Sequence, residues 1–219
     1  MSYSAEISRT NPSCFLFLID QSGSMADPFP DTGKTKANGV ADAINRVLQD
    51  LVVMCSKGEE IRDYYDISVI GYGAQVGPAF GGKLSGRDIV SISEVAENPA
   101  RLEERTQKVQ DGAGGLVDQI LKFPIWFDAI ANGGTPMCQA LSLAESILGR
   151  WLEEHPSAFP PVVFHITDGE STDGDPTEYL NSIGDLCSSD GNVLLFNLHL
   201  SSNRGARAVV FPSSPEGLP

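Results

Sequence analysis

Unbroken apolar runs alternate with stretches in which apolar residues recur every three or four positions, and this alternation covers most of the chain. Phe15-Leu16-Phe17-Leu18-Ile19 ends abruptly in Asp20. An unbroken run of that length predicts a strand covered on both faces, delivering an acid to its C-terminal tip. A helix is predicted from about Thr35, where Ala37, Val40, Ala41, Ile44, Val47, Leu48, Leu51 and Val52 share one face, with Gly58 as its stop. Tyr64 to Tyr72 reads as a second strand, and Gly71, Gly73 and Gly77 bend the chain into a short antiparallel neighbour, Val76 to Phe80.

The pattern weakens between Gly81 and Gly134, a long connection for a compact domain. It is read as an insertion with one or two short helices, Pro99 to Lys108 and Leu116 to Lys122, near the rim of the site. Thr135-Pro136 then opens a helix, threonine as N-cap and proline in the first turn. Its buried face is Met137, Ala140, Leu141, Ala144, Ile147, Leu148, Trp151 and Leu152. Pro160 to Thr167 is a strand that, like the first, runs into an acid, Asp168. Asp175-Pro176-Thr177-Glu178 begins a helix carrying Leu180, Ile183, Leu186 and Cys187 inward. Asn192 to Leu200 and Ala206 to Phe211 read as the last two strands.

Strands alternating with helices predict a doubly wound, Rossmann-like α/β fold: a six-stranded sheet, mainly parallel with one antiparallel edge strand, and helices on both faces. A single domain is assigned to residues 13–211, preceded by a polar segment, 1–12, and followed by a proline-rich tail, 212–219. Residues 81–134 form its long insertion.

The 219 residues carry 29 acids and 15 bases, a formal charge of −14, so the surface field repels phosphate backbones and anionic lipid. Neither nucleic acid nor membrane is an expected partner. No basic and apolar leader precedes the first strand, and no run approaches the length of a membrane span, which predicts a soluble, cytoplasmic protein. Cys14, Cys55, Cys138 and Cys187 are far apart in sequence and are expected to be buried, reduced thiols.

Open α/β sheets bind ligands beyond the carboxyl ends of their strands. Three polar loops converge there on this reading: Asp20 to Ser24, Gly133 to Thr135, and Asp168 to Ser171. Asp20, Ser22 and Ser24 alternate, so in an extended segment their side chains share one side. Thr135 adds a hydroxyl and Asp168 a second carboxylate. Two acids and three hydroxyls, without His or Cys, suit a hard cation: Mg2+ first, Mn2+ or Ca2+ as alternatives.

Asp20-x-Ser22-x-Ser24, the threonine of Gly133-Gly134-Thr135-Pro136 and the aspartate of Thr167-Asp168-Gly169 together resemble the metal-ion-dependent adhesion site of von Willebrand factor A domains. The resemblance covers nearly the whole chain in strand order. It implies that Ser22, Ser24 and Thr135 bind the ion directly or nearly so, with Asp20 and Asp168 acting largely through water. The ion then keeps more of its charge and favours an acidic side chain, Glu or Asp, from a partner protein. The resemblance thus implies a binding module rather than an enzyme. Lacking a signal peptide and disulfide pattern, the chain looks more like intracellular bacterial members, including those of tellurite-resistance and stress operons. It departs from the family in its long 81–134 connection and in having no sequence for a last helix after the sixth strand.

Each residue also has a purely structural reading: Thr135 as an N-cap, Ser22 and Ser24 as turn residues, Asp168 as the start of an Asp-Gly turn. Asp27, Asp31, Asp173 and Asp175 are placed on the rim, and the three histidines are given no role. Among rivals, the phosphatases that resemble haloacid dehalogenases need a second acid where Ser22 stands. A phosphate loop ending in Gly33-Lys34-Thr35 would need glycine at Pro28. No G-x-S-x-G elbow is present. A metal-dependent phosphoryl-transfer or hydrolytic enzyme using the same ion, and a scaffold whose metal merely staples the loops, remain the alternatives.

Overall fold

A computed structural model describes residues 3–30, 32–110, 115–203 and 209–210. In chain order the main elements are β1 (Ser13–Asp20), α1 (Lys36–Cys55), β2 (Tyr65–Tyr72), β3 (Val76–Pro78), β4 (Val90–Ser91), α2 (Ile92–Glu97), β5 (Arg101–Gln110), β6 (Leu116–Ile125), α3 (Met137–Glu154), β7 (Val162–Thr167), α4 (Thr177–Asp185) and β8 (Leu194–His199). The main sheet runs β8-β7-β1-β2-β3, with β4 also on β2. Strands β8, β7, β1 and β2 are parallel, whereas β3 and β4 pair antiparallel with β2 and form its edge. The expected mainly parallel, six-stranded α/β sheet is present.

Alternation along β1 explains its unbroken apolar run. Phe17 and Ile19 pack with α1 and α2, while Cys14, Leu16 and Leu18 pack with α3 and α4 on the other face. With no solvent-facing side, the strand stays apolar from Cys14 to Ile19. Helix α1 buries Ala37, Val40, Ala41, Ile44, Leu48 and Leu51, and its cap Thr35 accepts from the Asn38 backbone N–H. Val47, predicted on that face, is 41% exposed.

The short helices expected at Pro99 to Lys108 and Leu116 to Lys122 are strands. β5 and β6 form a separate antiparallel ribbon, in which Glu104 faces Lys122, Lys108 faces Asp118 and Thr106 faces Ile120. Opposite charges across a ladder stabilise a ribbon much as i,i+4 pairs stabilise a helix, so the charge pattern alone suited both. β-branched residues such as Thr106, Val117 and Ile120 favour the extended form. Arg105 ties its base to the domain by pairing with Asp42 of α1 at 2.8 Å and lying over the Phe123 ring, 3.9 Å from its centroid. The helix this region does contain, α2, starts at a reciprocal capping box between Ser91 and Glu94.

The sixth strand predicted at Ala206 to Phe211 falls mostly outside the described residues, as does the tail at 212–219. Val209 and Val210 are described and belong to no strand. Cys14, Cys55 and Cys138 are buried, but Cys187 is exposed: it pairs with Asn192 in a short ribbon after α4 instead of extending that helix inward. No helix among the described residues is long and apolar enough to cross a membrane.

One polar residue in the apolar stripe of α1 anchors the returning insertion. Asn45, 1% exposed, accepts from the backbone N–H groups of Trp126 (2.8 Å) and Phe127 (3.1 Å) and donates to the carbonyls of Phe127 and Ala41. Replacing it strands several buried backbone groups, each costing about 1–3 kcal/mol. Asn45→Leu is therefore expected to lose about 3 kcal/mol or more in urea unfolding despite its better helix propensity. A neutral or stabilising result would show that these bonds are dispensable.

Candidate metal centre

Parallel register brings the tips of β1, β2 and β7 level: Asp20 stands opposite Tyr72, and Ile19 opposite Ile166. The loops leaving these tips are sewn together by their backbones. The Gly23 N–H donates to Gly133 O (3.0 Å), and the Asn132 N–H to Gln21 O (2.7 Å). Thr135 and Thr172 exchange bonds, the Thr135 N–H to Thr172 Oγ1 (3.0 Å) and the Thr172 N–H to Thr135 O (2.9 Å). Close approach needs glycine here. Gly133 has φ +86°, and a Cβ on it would lie 2.4 Å from Ala74 N; on Gly73 it would lie 2.6 Å from both Gln21 O and Asn132 O.

Asp20 is 1% exposed, and both its oxygens are engaged: Oδ1 accepts from the Ser22 N–H (2.8 Å) and Oδ2 from the Thr167 hydroxyl (2.8 Å). Ser22 Oγ lies 3.0 Å from Ser24 Oγ, which donates to Asp168 Oδ1 at 2.7 Å. Thr135 is buried at the start of the segment leading into α3. The structure thus brings Asp20, Ser22, Ser24 and Asp168 into one connected set, with Thr135 on the neighbouring, backbone-linked loop. Ser22 and Thr135 are buried while Ser24 is exposed, so the cluster opens to solvent on one side.

This donor set fits a small hard cation. Adjacent ligands of octahedral Mg2+, at 2.0–2.1 Å from the ion, stand about 2.9–3.0 Å apart. The serine hydroxyls already have that spacing, at 3.0 Å. Among the described residues no three of His, Cys, Asp and Glu converge as a ligand group. Each oxygen of Asp20 already accepts one hydrogen bond, from the Ser22 backbone N–H and from the Thr167 hydroxyl, so its charge is held inside the protein behind the serine loop.

The rim acids have other tasks. Asp173 caps α3 from across the site, accepting from the Cys138 (2.9 Å) and Gln139 (3.0 Å) N–H groups. Burial pushes its carboxyl up, but these bonds and the Ser171 hydroxyl outweigh it and hold the pKa below the usual carboxylate value. Thr135 therefore serves α3 less as a cap than the sequence suggested, since Met137 is its first residue and Asp173 binds the free N–H groups. Asp175 accepts from the Thr177 N–H (2.9 Å) and hydroxyl (2.6 Å) at the start of α4. Asp31 lies outside the described residues. Lys36, which the sequence did not single out, places its ammonium 2.6 Å from Asp168 Oδ2 and 3.6 Å from Asp27 Oδ2. Its signal was a lysine in the first turn of a helix, where the dipole favours anions.

Behind the cluster, Tyr72 Oη and His165 Nε2 are 2.7 Å apart, and both residues are buried. Burial, then the Asp20 charge, pushes the Tyr72 phenol well above its ordinary value. The other ring nitrogen, His165 Nδ1, is buried without a hydrogen-bond partner among the described residues.

No family model matches the chain, and no curated protein sequence matches it. Among solved structures, it is similar to the vWF domain of the type V pili tip protein Mfa5 from Porphyromonas gingivalis, at 12% identity and a TM-score of 0.42, over 74% of this chain and 39% of that one. A structure of three N-terminal domains of the same tip protein matches at 12% identity and a TM-score of 0.41, over 74% of this chain and 20% of that one. The chain spans well under half the length of either.

Burial pushes the His165 imidazole down to about 4, against about 6.5 in an unfolded chain. Between those values the unfolded chain holds a proton that the folded chain lacks, so this histidine erodes stability as pH falls from about 6.5 towards 4. Wild type is expected to lose about 2 kcal/mol between pH 7 and pH 4.5 relative to His165→Leu in urea unfolding. Parallel losses in the two proteins would show that His165 is protonated in the folded state.

Proposed function

We propose that this protein is a divalent-metal-dependent protein-interaction module of the von Willebrand factor A type, acting as a binder rather than an enzyme. Ser22, Ser24 and Thr135 would hold Mg2+, with Asp20 and Asp168 supplying charge from behind the hydroxyls. The observation that carries this reading is the pair of serine hydroxyls 3.0 Å apart, backed by two carboxylates. When bound, the ion supplies a hard positive centre for an oxygen ligand from outside.

The chain's own residues favour a carboxylate as that ligand. Asp20 is committed to Ser22 and Thr167, and Asp168 to Ser24 and Lys36, so neither acid is free to quench the ion fully. The outer side of the cluster, at exposed Ser24, is open to a Glu or Asp side chain of a protein partner. A surface of net charge −14 would otherwise repel such a partner, and a local dication reverses that sign at one point.

Calorimetric titration of the full chain with Mg2+ and Mn2+ tests the site, with Ser22→Ala beside wild type. One saturable site is expected in wild type, weakened by about tenfold or more in the variant. At an ion concentration of about 100 times the wild-type Kd, thermal stability should rise by about 2.7 kcal/mol in wild type and by about 1.4 kcal/mol or less in the variant. Equal affinities in the two proteins would remove the site assignment. Tighter ion binding in excess acetate would support a carboxylate as the outside ligand; no change would argue against it.

A further inference from the structure

We propose that Lys36 is a built-in rival of the divalent ion: its ammonium holds Asp168 when the ion is scarce, keeps the loops assembled, and sets the concentration at which the ion takes over. This inference rests on the metal-centre reading above and concerns a residue outside the expected ligand set.

Three observations support it. Lys36 has only 4% of its side chain exposed, the Asp168 side chain has none, and their charged atoms are 2.6 Å apart. Lysine is rarely buried so fully, and a buried ammonium is tolerable only when paired. Second, Lys36 is the first residue of α1, and no acid occupies that helix's first turn. A cation there opposes the helix dipole, so helix formation does not explain its position. Third, Asp168 divides its two oxygens between Lys36 Nζ and the Ser24 hydroxyl, one of the proposed ion ligands. One carboxylate therefore links the resident cation to the site of the incoming one.

The electrostatic consequence has a definite sign. An ion beside Ser24 meets the like charge of Lys36 across one carboxylate, in surroundings with little water to screen it. Asp168, already neutralised by Lys36, offers it less attraction. Removing the ammonium leaves Asp168 buried and unpaired in the ion-free protein while removing the repulsion in the ion-bound protein. Both effects tighten ion binding. A lysine that merely tied α1 to the β7 loop would behave differently: its loss would lower stability equally with and without ion and leave ion affinity unchanged.

The test is calorimetric titration of Mg2+ and Mn2+ into the full chain for wild type, Lys36→Met, Lys36→Gln and Lys36→Arg, with thermal melts in chelator and in saturating Mg2+. Lys36→Gln keeps an N–H donor for Asp168 without the charge, which guards against a Met variant that does not fold. The neutral variants are expected to bind ion about tenfold tighter or more. Their melting temperature should fall in chelator and recover in Mg2+ by a larger increment than wild type shows. Lys36→Arg should stay within about threefold of wild type. Wild-type binding with unchanged or weaker binding in the neutral variants would overturn the role of Lys36 and leave the metal centre standing. Absence of binding in every protein would overturn the metal centre, and this proposal with it.

Discussion

A carboxylate buried at the tip of the central strand sets the terms for the rest of the structure. Asp20, at 1% exposure, has to be satisfied from within the protein, and its partners come from two different segments: the Ser22 N–H just after it and the Thr167 hydroxyl at the tip of the adjacent strand. Meeting that demand turns the chain sharply after β1 and fixes β1 and β7 in one register. The turn exposes Ser24 and directs its hydroxyl at Asp168. The placement of the serine hydroxyls thus follows from satisfying one buried acid.

Around it, the loops are held chiefly by backbone and by polar side chains arriving from elsewhere. Glycines at 73 and 133 permit contacts that a Cβ would block, the Thr135 and Thr172 bonds lock the second loop to the third, and Asp173 reaches over to cap α3. Such a site is preorganised because its framework does not depend on the groups that would contact a ligand. The ammonium of Lys36 fits the same scheme, occupying with a protein charge the neighbourhood where an external charge would act. The insertion is secured by similar means, through Asn45 to its return strand and Arg105 to its base, and its ribbon leaves Leu102 and Ile120 more than half exposed.

Legibility varied with how local the cause was. The strand at Ser13–Asp20 and the helices at Lys36–Cys55 and Met137–Glu154 were readable because burial imposes a period on neighbouring residues, and the period survives in the sequence. The ribbon of Arg101–Gln110 and Leu116–Ile125 escaped the sequence because alternating charges suit a ladder and a helix alike, while the pairing that fixes it lies between strands. Cys187 was assigned inward by extending a helical period past α4, where the chain had already turned into a short ribbon. Nothing in the sequence singled out Asn45, because the backbone groups it binds at Trp126 and Phe127 are more than 80 positions away.

The sequence by itself determined the α/β class, the strand tips bearing Asp20 and Asp168, and the hydroxyl-rich donor set, since these follow from residue type and short-range spacing. Tertiary structure alone decided which donors meet, which acids are diverted to capping, and that Lys36 pairs with Asp168 132 positions away. The physical reason is that hydrogen bonds and ion pairs act over about 3 Å. Only the packed sheet, by setting its strand tips side by side, brings residues so far apart in the chain within that reach.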